Sequence, residues 1–385
     1  MTSLQRCFSI EDVRQAAKRR LPHGIFEYID RGTEDGVALS NNRAAFERVR
    51  LNTRYMVDLR ERDMGTELFG KRLELPIAIA PTAVAGLMWH QGELALAKAA
   101  AKAGIPFTLA TGSLTPMETI AEAGGQLWFQ LYMWDEVEYS YELVRRAKSL
   151  GFETLVVTID SALGRLREHN EKNGFTFPFK PNRRALVDMT LSPTWLTTVL
   201  FRTIATTGMP KNANYPEHYQ PMVTFRGTPK PKANKGMTWD DVARLKEMWD
   251  GPMIVKSVMT DHDARLAVEH GADAVVVSNH GGRAMDSALA TLEALPAVVD
   301  EVGAEVKVIL DSGIRRGSDI VKALALGADL VLLGRATLYG IAAGGEAGAA
   351  KAIQLLATEF EKTMANAGCR TVGEATRDII ATRPF

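Results

Sequence analysis

Cysteine is scarce in this sequence. Cys7 and Cys369 are its two cysteines, they lie far apart, and neither belongs to a CxxC motif or is paired with histidine. Disulfide-stapled scaffolds and structural zinc sites need closely spaced cysteines, so the sequence argues against both. We therefore expect a protein of a reducing compartment, without a metal site.

Long apolar runs are absent as well. The N-terminal residues MTSLQRCFSIEDVRQ lack the apolar core of a secretory signal. No stretch reaches the roughly 18 uninterrupted apolar residues that a membrane span requires. Since neither pattern is present, we expect a cytoplasmic protein that does not cross a bilayer.

The chain has no excess of either charge. Its 46 Lys and Arg residues balance 46 Asp and Glu residues, which gives no support to a nucleic-acid partner. The 385 residues are 46% hydrophobic and 24% charged, which excludes a disordered or fibrous chain. This length permits two or three domains, or one large α/β barrel with insertions.

Eight short apolar runs alternate with amphipathic helical segments from residue 75 onward. Each run is too short for a helix and too uniformly apolar for a strand with one wet face, which favours buried parallel strands. The helical segments place apolar residues three and four apart and end at glycine. The runs occupy residues 75–80, 105–110, 127–132, 154–159, 253–257, 274–278, 306–311 and 330–334.

This alternation predicts an α/β fold of the (β/α)8 TIM-barrel type. A doubly wound open sheet is the alternative, but no GxGxxG follows the first run, as a dinucleotide fold usually requires. A single domain is predicted, with a helical cap (1–74), a barrel (75–366) and a C-terminal tail (367–385). Residues 176–236 form a long insertion after strand four, and a loop of this length is usually functional or mobile.

Polar residues stand where the predicted strands end, which is the end at which TIM barrels place their sites. The loops DSGIRRGSD and LLGRATLYG combine glycine with arginine, a pattern typical of phosphate binding; ordinary turns with surface arginines are the alternative. Lys256 ends an apolar run, where a lysine needs an anion or an electron-rich ligand; an ion pair with a neighbouring carboxylate is the alternative.

His280 and Arg283 lie in SNHGGRAMD, after the sixth run. A histidine can take a proton near neutral pH, and an arginine can hold a carboxylate through two hydrogen bonds. Asp160, after the fourth run, is suited to orient such an imidazole. No GxSxG, HExxH or DxDxDG motif occurs, so hydrolase and metal chemistry have little support.

Several motifs occur in order at the predicted strand ends: APTA, FQLY, VTID, SNHGGR, DSGIRRGSD and LLGRATLYG. Together they resemble the FMN-dependent L-2-hydroxyacid dehydrogenase/oxidase family over nearly the whole chain. The wording WDGPMIVK and a TW-containing insertion resemble its bacterial L-lactate and mandelate dehydrogenase branch. The resemblance implies FMN as cofactor and oxidation of a lactate- or mandelate-like L-2-hydroxy acid to the 2-oxo acid.

The resemblance also implies a role for individual residues. His280 would be the base, oriented by Asp160, with Lys256 near N1 and O2 of the flavin. The substrate would be bound by Tyr28, Tyr132, Arg167, His280 and Arg283. The cofactor would be bound by Pro81, Thr82, Ala83, Gln130, Thr158, Lys256, Ser278, Asp311, Gly313, Arg315, Gly334 and Arg335. Carbanion formation and hydride transfer both remain open, because His280 serves either.

The sequence departs from the family pattern near the pocket. The loop usually written DxPxxGxRExD reads DSALGRLREHN, with Ala162 and Asn170 at two pattern positions, and GGRAMD replaces the common GGRQLD. Neither change removes a catalytic group. The identity of the 2-hydroxy acid therefore stays open.

The electron acceptor is expected to be either quinone or oxygen. Trp195, Leu196, Val199, Leu200 and Phe201 form a candidate apolar face within 192–208, with Arg202 at its edge. This face either touches a membrane peripherally, on the inner surface, to deliver electrons to quinone, or packs on the barrel as a lid. Alternatives to the dehydrogenase are an oxygen-using oxidase that produces H2O2, a non-catalytic flavin- or phosphate-binding barrel, and a flavin-dependent isomerase. The resemblance further implies a homo-oligomer, a tetramer.

Overall fold

Eight parallel strands close into one barrel in the computed structural model of the chain, which describes residues 4–161, 166–176, 178–180, 182–223 and 231–381. The order around the barrel is β3, β4, β5, β6, β7, β8, β9, β10, and β10 pairs with β3 in parallel to close it. The (β/α)8 prediction is confirmed and the open sheet is wrong. The strands are β3 (Ile77–Ile79), β4 (Phe107–Ala110), β5 (Leu127–Leu131), β6 (Thr154–Thr158), β7 (Met253–Val258), β8 (Ala274–Val277), β9 (Lys307–Leu310) and β10 (Leu330–Leu333).

The barrel strands bury both of their faces, which explains why the sequence shows continuous apolar runs rather than alternation. One set of side chains fills the barrel interior, and the other packs against the surrounding helices. A short hairpin, β1 (Thr66–Leu68) and β2 (Lys71–Leu73), covers the N-terminal end of the barrel. Its Leu68 and Leu73 belong to the same buried cluster as Trp128 and Ile254 inside the barrel.

Fifteen α-helical segments within the described ranges surround or cap the barrel. Helix α12 shows how a side chain fixes the first turn of a helix. The Thr260 hydroxyl accepts a hydrogen bond from the backbone N–H of Asp263 at 3.0 Å. The helices are α1 (Ile10–Arg20), α2 (His23–Asp30), α3 (Val37–Arg48), α4 (Gly92–Lys102), α5 (Met117–Ala121), α6 (Val137–Ser149), α7 (Glu168–Asn173), α8 (Arg183–Thr190), α9 (Pro193–Trp195), α10 (Arg202–Thr207), α11 (Trp239–Met248), α12 (Asp261–Glu269), α13 (Thr291–Val302), α14 (Gly317–Ala325) and α15 (Arg335–Asn366).

The insertion after β6 contains a continuous helical stretch, in which a π-helical turn (Leu196–Phe201) joins α9 to α10. Trp195 is 1% exposed, and its Nε1 donates to the Leu87 carbonyl at 2.7 Å. Val199 is buried beside it, whereas Phe201 is 58% exposed. The five predicted apolar residues therefore do not share one face: part of the set packs on the barrel and part faces outward. Among the helices of the described ranges, none is long and apolar enough to cross a bilayer.

Candidate active site

A cavity of about 780 Å³ opens at the C-terminal ends of the barrel strands. It has the size of a typical small-molecule or cofactor site. All of the predicted site residues line it except Asp160 and Ser278, which reach it through His280 and Lys256 respectively. The structure thus brings residues from the N-terminal cap, the strand ends and the insertion to one place.

His280 and Asp160 form a hydrogen-bonded pair at the rim of this cavity. The Nδ1 of His280 lies 2.9 Å from Oδ2 and 3.1 Å from Oδ1 of Asp160, and Nε2 lies 3.3 Å from the Tyr132 hydroxyl. With Nδ1–H donated to the carboxylate, Nε2 presents its lone pair toward the cavity. The carboxylate stabilises the imidazolium that forms when Nε2 takes a proton.

A left-handed turn positions His280. The φ angles of His280, Gly281 and Gly282 are 58°, 72° and 70°. A Cβ on Gly282 would lie 2.5 Å from the backbone nitrogen of Leu39, so this position also excludes any side chain. The left-handed conformation costs the histidine about 1–3 kcal/mol, which the surroundings must offset.

Two arginines that line the cavity lie against the ring of Tyr28. The guanidinium carbons of Arg283 and Arg167 lie 5.1 and 5.6 Å from the centre of the Tyr28 ring. Arg283 also donates to the Tyr28 carbonyl at 2.7 Å, which ties it to helix α2. Paired guanidinium groups suit a carboxylate, which can accept parallel hydrogen bonds from them.

The positive charges of these arginines also act on His169. Burial lowers the pKa of His169 to about 4, helped by the charges of Arg31, Arg283 and Arg167. Such a region favours an anionic ligand. The sequence does not indicate this environment, because Arg31 and Arg283 lie far from His169 in the chain.

Lys256 is buried and has two polar partners. Its Nζ lies 2.7 Å from Ser278 Oγ and 2.9 Å from Asp311 Oδ2. The ion pair with a neighbouring carboxylate is therefore observed, and the contact with a cofactor stays a prediction, for which Lys256 is suitably placed because it lines the cavity. A fixed ammonium at this position can stabilise negative charge that develops on a bound ring.

Buried polar atoms without a hydrogen-bond partner among the described residues occur at the cavity wall, and three of them, Thr82 Oγ1, Gln130 Nε2 and Thr158 Oγ1, follow barrel strands. Buried polar groups are normally satisfied, so these atoms point to a polar ligand. They lie at or just after the ends of β3, β5 and β6, and Thr158 is the partner of Lys256 in the pairing of β6 with β7. A flat heterocycle that carries carbonyl and N–H groups, as an isoalloxazine does, fits this wall.

A second part of the cavity wall combines glycine, arginine and two helix starts. Gly313, Arg315, Gly334 and Arg335 line the cavity where α14 and α15 begin. Helix N-termini with nearby arginine bind phosphate. Burial lowers the pKa of Arg335 to about 10. Its guanidinium donates to the carbonyls of Ile29 (2.9 Å), Gly281 (2.9 Å) and Arg31 (3.0 Å), so it also joins the cap to the turn of His280.

The insertion supplies a residue that sequence reasoning missed. Tyr215 is half-buried at the cavity wall, with its ring centre 4.8 Å from that of Trp134. Burial raises the pKa of Tyr215 well above its ordinary value, together with the neighbouring Tyr132 and Tyr28. Tyr215 also lines an adjoining cavity of about 220 Å³ with Ala83. No periodicity in the Pro/Asn-rich insertion marks this residue.

A family model described as FMN-dependent dehydrogenase matches residues 17–382. The chain belongs to the FMN-dependent dehydrogenase family. It is 37% identical over 378 residues to (S)-mandelate dehydrogenase of Pseudomonas putida, covering 98% of this chain and 94% of that protein. It is 38% identical over 380 residues to L-lactate dehydrogenase of Ectopseudomonas mendocina, with 96% and 97% covered.

Solved structures of the family agree with the fold. A monotopic membrane protein (S)-mandelate dehydrogenase superposes with a TM-score of 0.90 at 36% identity, covering 98% of this chain and all of that one. A mandelate oxidase variant with (S)-mandelic acid has a TM-score of 0.81 at 34% identity, with 98% and 99% covered. The predicted family, the FMN cofactor and the enzyme class, an oxidoreductase acting on 2-hydroxy acids, are confirmed.

Proposed function

We propose that this protein oxidises a lactate- or mandelate-like L-2-hydroxy acid to its 2-oxo acid, with His280 as the base. One observation carries this proposal. A single cavity is lined by His280, which is hydrogen-bonded to Asp160, and by Arg167 and Arg283. One group is suited to take a proton and the other to hold a carboxylate. When bound, FMN supplies the two-electron redox chemistry.

Substrate binding is assigned to the arginine side of the cavity. Arg283 and Arg167 hold the carboxylate, and Tyr28 adds a hydrogen bond to it. Tyr132 lies beside Nε2 of His280 and contacts the substrate hydroxyl. Holding the acid at its carboxylate orients the carbon that carries the hydroxyl toward His280, which lowers the entropic cost of the reaction.

The proton that leaves the substrate passes to Nε2 of His280. Removal of the Cα proton and removal of the hydroxyl proton during hydride transfer both end with an imidazolium beside Asp160. The carboxylate of Asp160 stabilises that cation and fixes the ring by accepting from Nδ1. Oxidation of the alcohol to the 2-oxo acid removes two electrons and two protons in total.

The cofactor is assigned to the two walls described above. Pro81, Thr82, Ala83, Gln130, Thr158 and Ser278 would contact the ring or the ribityl chain of a bound FMN, and Lys256 would lie near its N1 and O2. Asp311, Gly313, Arg315, Gly334 and Arg335 would hold the ribityl and phosphate groups. The unpartnered polar atoms of Thr82, Gln130 and Thr158 support the ring assignment.

His280→Gln tests the base directly. We expect this variant to bind FMN as the parent does, while the rate constant for anaerobic flavin bleaching by L-lactate or L-mandelate falls about 10²–10⁴-fold. Stopped-flow absorbance measures that rate, and the flavin spectrum measures occupancy. His262→Gln, on the exposed start of α12, is the matched control and keeps the parent rate. Parent-like bleaching by His280→Gln would show that the base is misassigned.

The acceptor is proposed to be a membrane quinone, reached by peripheral contact of residues 192–208 with the inner surface of the membrane. Apolar side chains on and beside this stretch face outward, and a relative with the same fold is a monotopic membrane protein. An exposed apolar helix surface of this kind lies in a lipid interface. The exposed residues are Leu186, Val187, Leu191, Phe201, Ile204 and Met209.

Vesicle binding and reoxidation test this contact. We expect the protein to float with phosphatidylglycerol vesicles, because burying these side chains in lipid is favourable, and to reduce ubiquinone in them. The double variant Phe201→Ser/Ile204→Ser should float less, whereas Val37→Ser, on the exposed start of α3, should not change flotation. Equal flotation of both variants would contradict the proposed membrane contact. Rapid reoxidation of the flavin by oxygen, with production of H2O2, would favour the oxidase instead.

A further inference from the structure

Two buried asparagines form a reciprocal pair behind the turn of His280. Asn42 lies on helix α3 of the N-terminal cap, and Asn279 immediately precedes His280; they are 1% and 3% exposed. The Nδ2 of Asn42 donates to Oδ1 of Asn279 at 2.9 Å, and the Nδ2 of Asn279 donates to Oδ1 of Asn42 at 2.8 Å. Each amide thus donates one hydrogen bond to the other and accepts one from it.

Backbone groups around the pair fix which way each amide points. The Nδ2 of Asn279 also donates to the Leu289 carbonyl at 3.0 Å, and its Oδ1 accepts from the Gly282 N–H at 2.9 Å. Since a carbonyl only accepts and an N–H only donates, the amide of Asn279 has one allowed orientation. Asn42 is fixed likewise, because its Oδ1 accepts from the Thr291 N–H at 3.3 Å.

The Asn279 side chain closes the left-handed turn that carries the base. Gly282 N–H, at the end of the turn, donates to Oδ1 of Asn279, and the backbone N–H of Gly281 donates to Ser312 Oγ at 2.9 Å. A histidine at φ 58° relaxes to negative φ unless neighbouring groups hold it. The position of His280 against Asp160 therefore depends on the orientation of Asn279.

We infer that Asn42 is a positioning residue for the reaction, acting through Asn279 on the turn that carries His280 and Arg283. This inference rests on the proposed function, in which His280 is the base. Asn42 does not line the cavity; its backbone packs behind Gly313, and its side chain points to Asn279 instead. The amide N–H of Asn42 donates to Asn279 Oδ1, and its Oδ1 accepts from Asn279 Nδ2. Loss of Asn42 therefore removes the side-chain contact that holds Asn279 from the cap side, and this weakens the closure of the turn.

The cap itself stays attached when this pair is broken. Asp286 accepts from the N–H groups of Asp35 and Ala38 at 3.1 Å each, at the start of α3. The backbone N–H of Thr33 donates to the Gly282 carbonyl at 2.9 Å. Helix α3 therefore keeps its place without the amide pair, and the effect of losing the pair falls on the turn.

Asn42→Asp is the test variant because it has the same shape and loses the N–H donor while keeping the accepting oxygen. The rate constant for anaerobic flavin bleaching by the best 2-hydroxy acid is measured across pH, with flavin occupancy measured in parallel. We expect the rate to fall about tenfold or more at unchanged occupancy, as the loss of a buried hydrogen bond implies. The acidic limb of the pH profile should move, because the His280–Asp160 contact changes.

Two controls separate positioning from simple destabilisation. Arg48→Gln breaks an exposed ion pair between α3 and Glu293 of α13, and Val13→Ala weakens packing of buried helix α1. Both should keep the parent rate per bound flavin and the parent pH profile. The pair Asn42→Ala/Asn279→Ala should be no slower than the slower single variant, because both residues act on the same turn.

The outcomes distinguish this inference from the proposed function. A parent-like rate and pH profile for Asn42→Asp, beside an inactive His280→Gln, overturns the role of Asn42 alone. Parent-like activity of His280→Gln overturns the proposed function. If Asn42→Asp does not fold, Asn42→Ser carries the same test, and a rate loss that matches its lost flavin occupancy overturns the inference.

Discussion

At the scale of single residues, the site contains a buried ion pair. Lys256 faces Asp311 at 2.9 Å, and both side chains are almost fully buried. Such a pair adds little net stability, because removing two charges from water offsets their attraction. A role in the chemistry therefore explains this ion pair at the cavity wall better than a role in the fold.

Lys256→Met should separate those roles. We expect the rate of flavin reduction to fall on the order of 10²–10³-fold, because a fixed positive charge at the developing negative charge is lost. We also expect the free energy of unfolding to fall by about 3–5 kcal/mol, since Asp311 is left buried without its cation. Stopped-flow reduction and thermal unfolding measure these effects.

The charge-retaining variant is the control for this prediction. Lys256→Arg should recover part of the rate, because it restores a cation in the wall. A Lys256→Met enzyme that reduces its flavin at the parent rate would contradict the assigned role.

At the scale of elements, one helix start organises the phosphate wall. Asp319, the third residue of α14, is buried and accepts from the N–H groups of both Arg315 and Arg316 at 2.9 Å. It also pairs with Arg43 of α3 at 2.6 Å. The loop that carries Arg315 therefore takes its shape from a carboxylate inside the helix, which also anchors it to the cap.

Asp319→Ala should weaken cofactor binding more than catalysis. We expect the dissociation constant for FMN to rise roughly 10-fold or more, because three hydrogen bonds to a charged group are lost. Fluorescence titration of the flavin-free protein with FMN measures this, and the rate per bound flavin should stay near that of the parent.

Helix α12 offers the matched control for that prediction. Asp263 occupies the same third position, is only half-buried, and does not line the cavity. Asp263→Ala should leave FMN affinity unchanged. Equal effects of the two variants would show that loss of helix capping, rather than loop shape, is responsible.

Most of the barrel strands and much of the candidate site could be predicted from the sequence, for physical reasons. Strands buried on both faces leave long apolar runs, and a barrel gathers the residues after those runs at one end. His280, Asp160 and Lys256 could therefore be placed together. Asn42, His169 and Tyr215 could not, because their contacts depend on how the cap and the insertion pack, and no local period records that packing.

At the scale of the whole molecule, the cap completes the site. Arg335 donates to carbonyls of Ile29 and Arg31 in the cap and of Gly281 beside the base. A fully buried guanidinium held by three carbonyls links segments that lie about 300 residues apart in the chain. The division into cap, barrel and tail, and the tetrameric assembly, stay predictions.

The hairpin formed by β1 and β2 has a consequence for turnover. Leu68 and Leu73 close the N-terminal end of the barrel. Among the described residues, the cavity therefore opens at the C-terminal ends of the strands. On the proposed function, the substrate would enter and the 2-oxo acid product would leave through this one opening. A bound product would therefore block the next substrate until it dissociates.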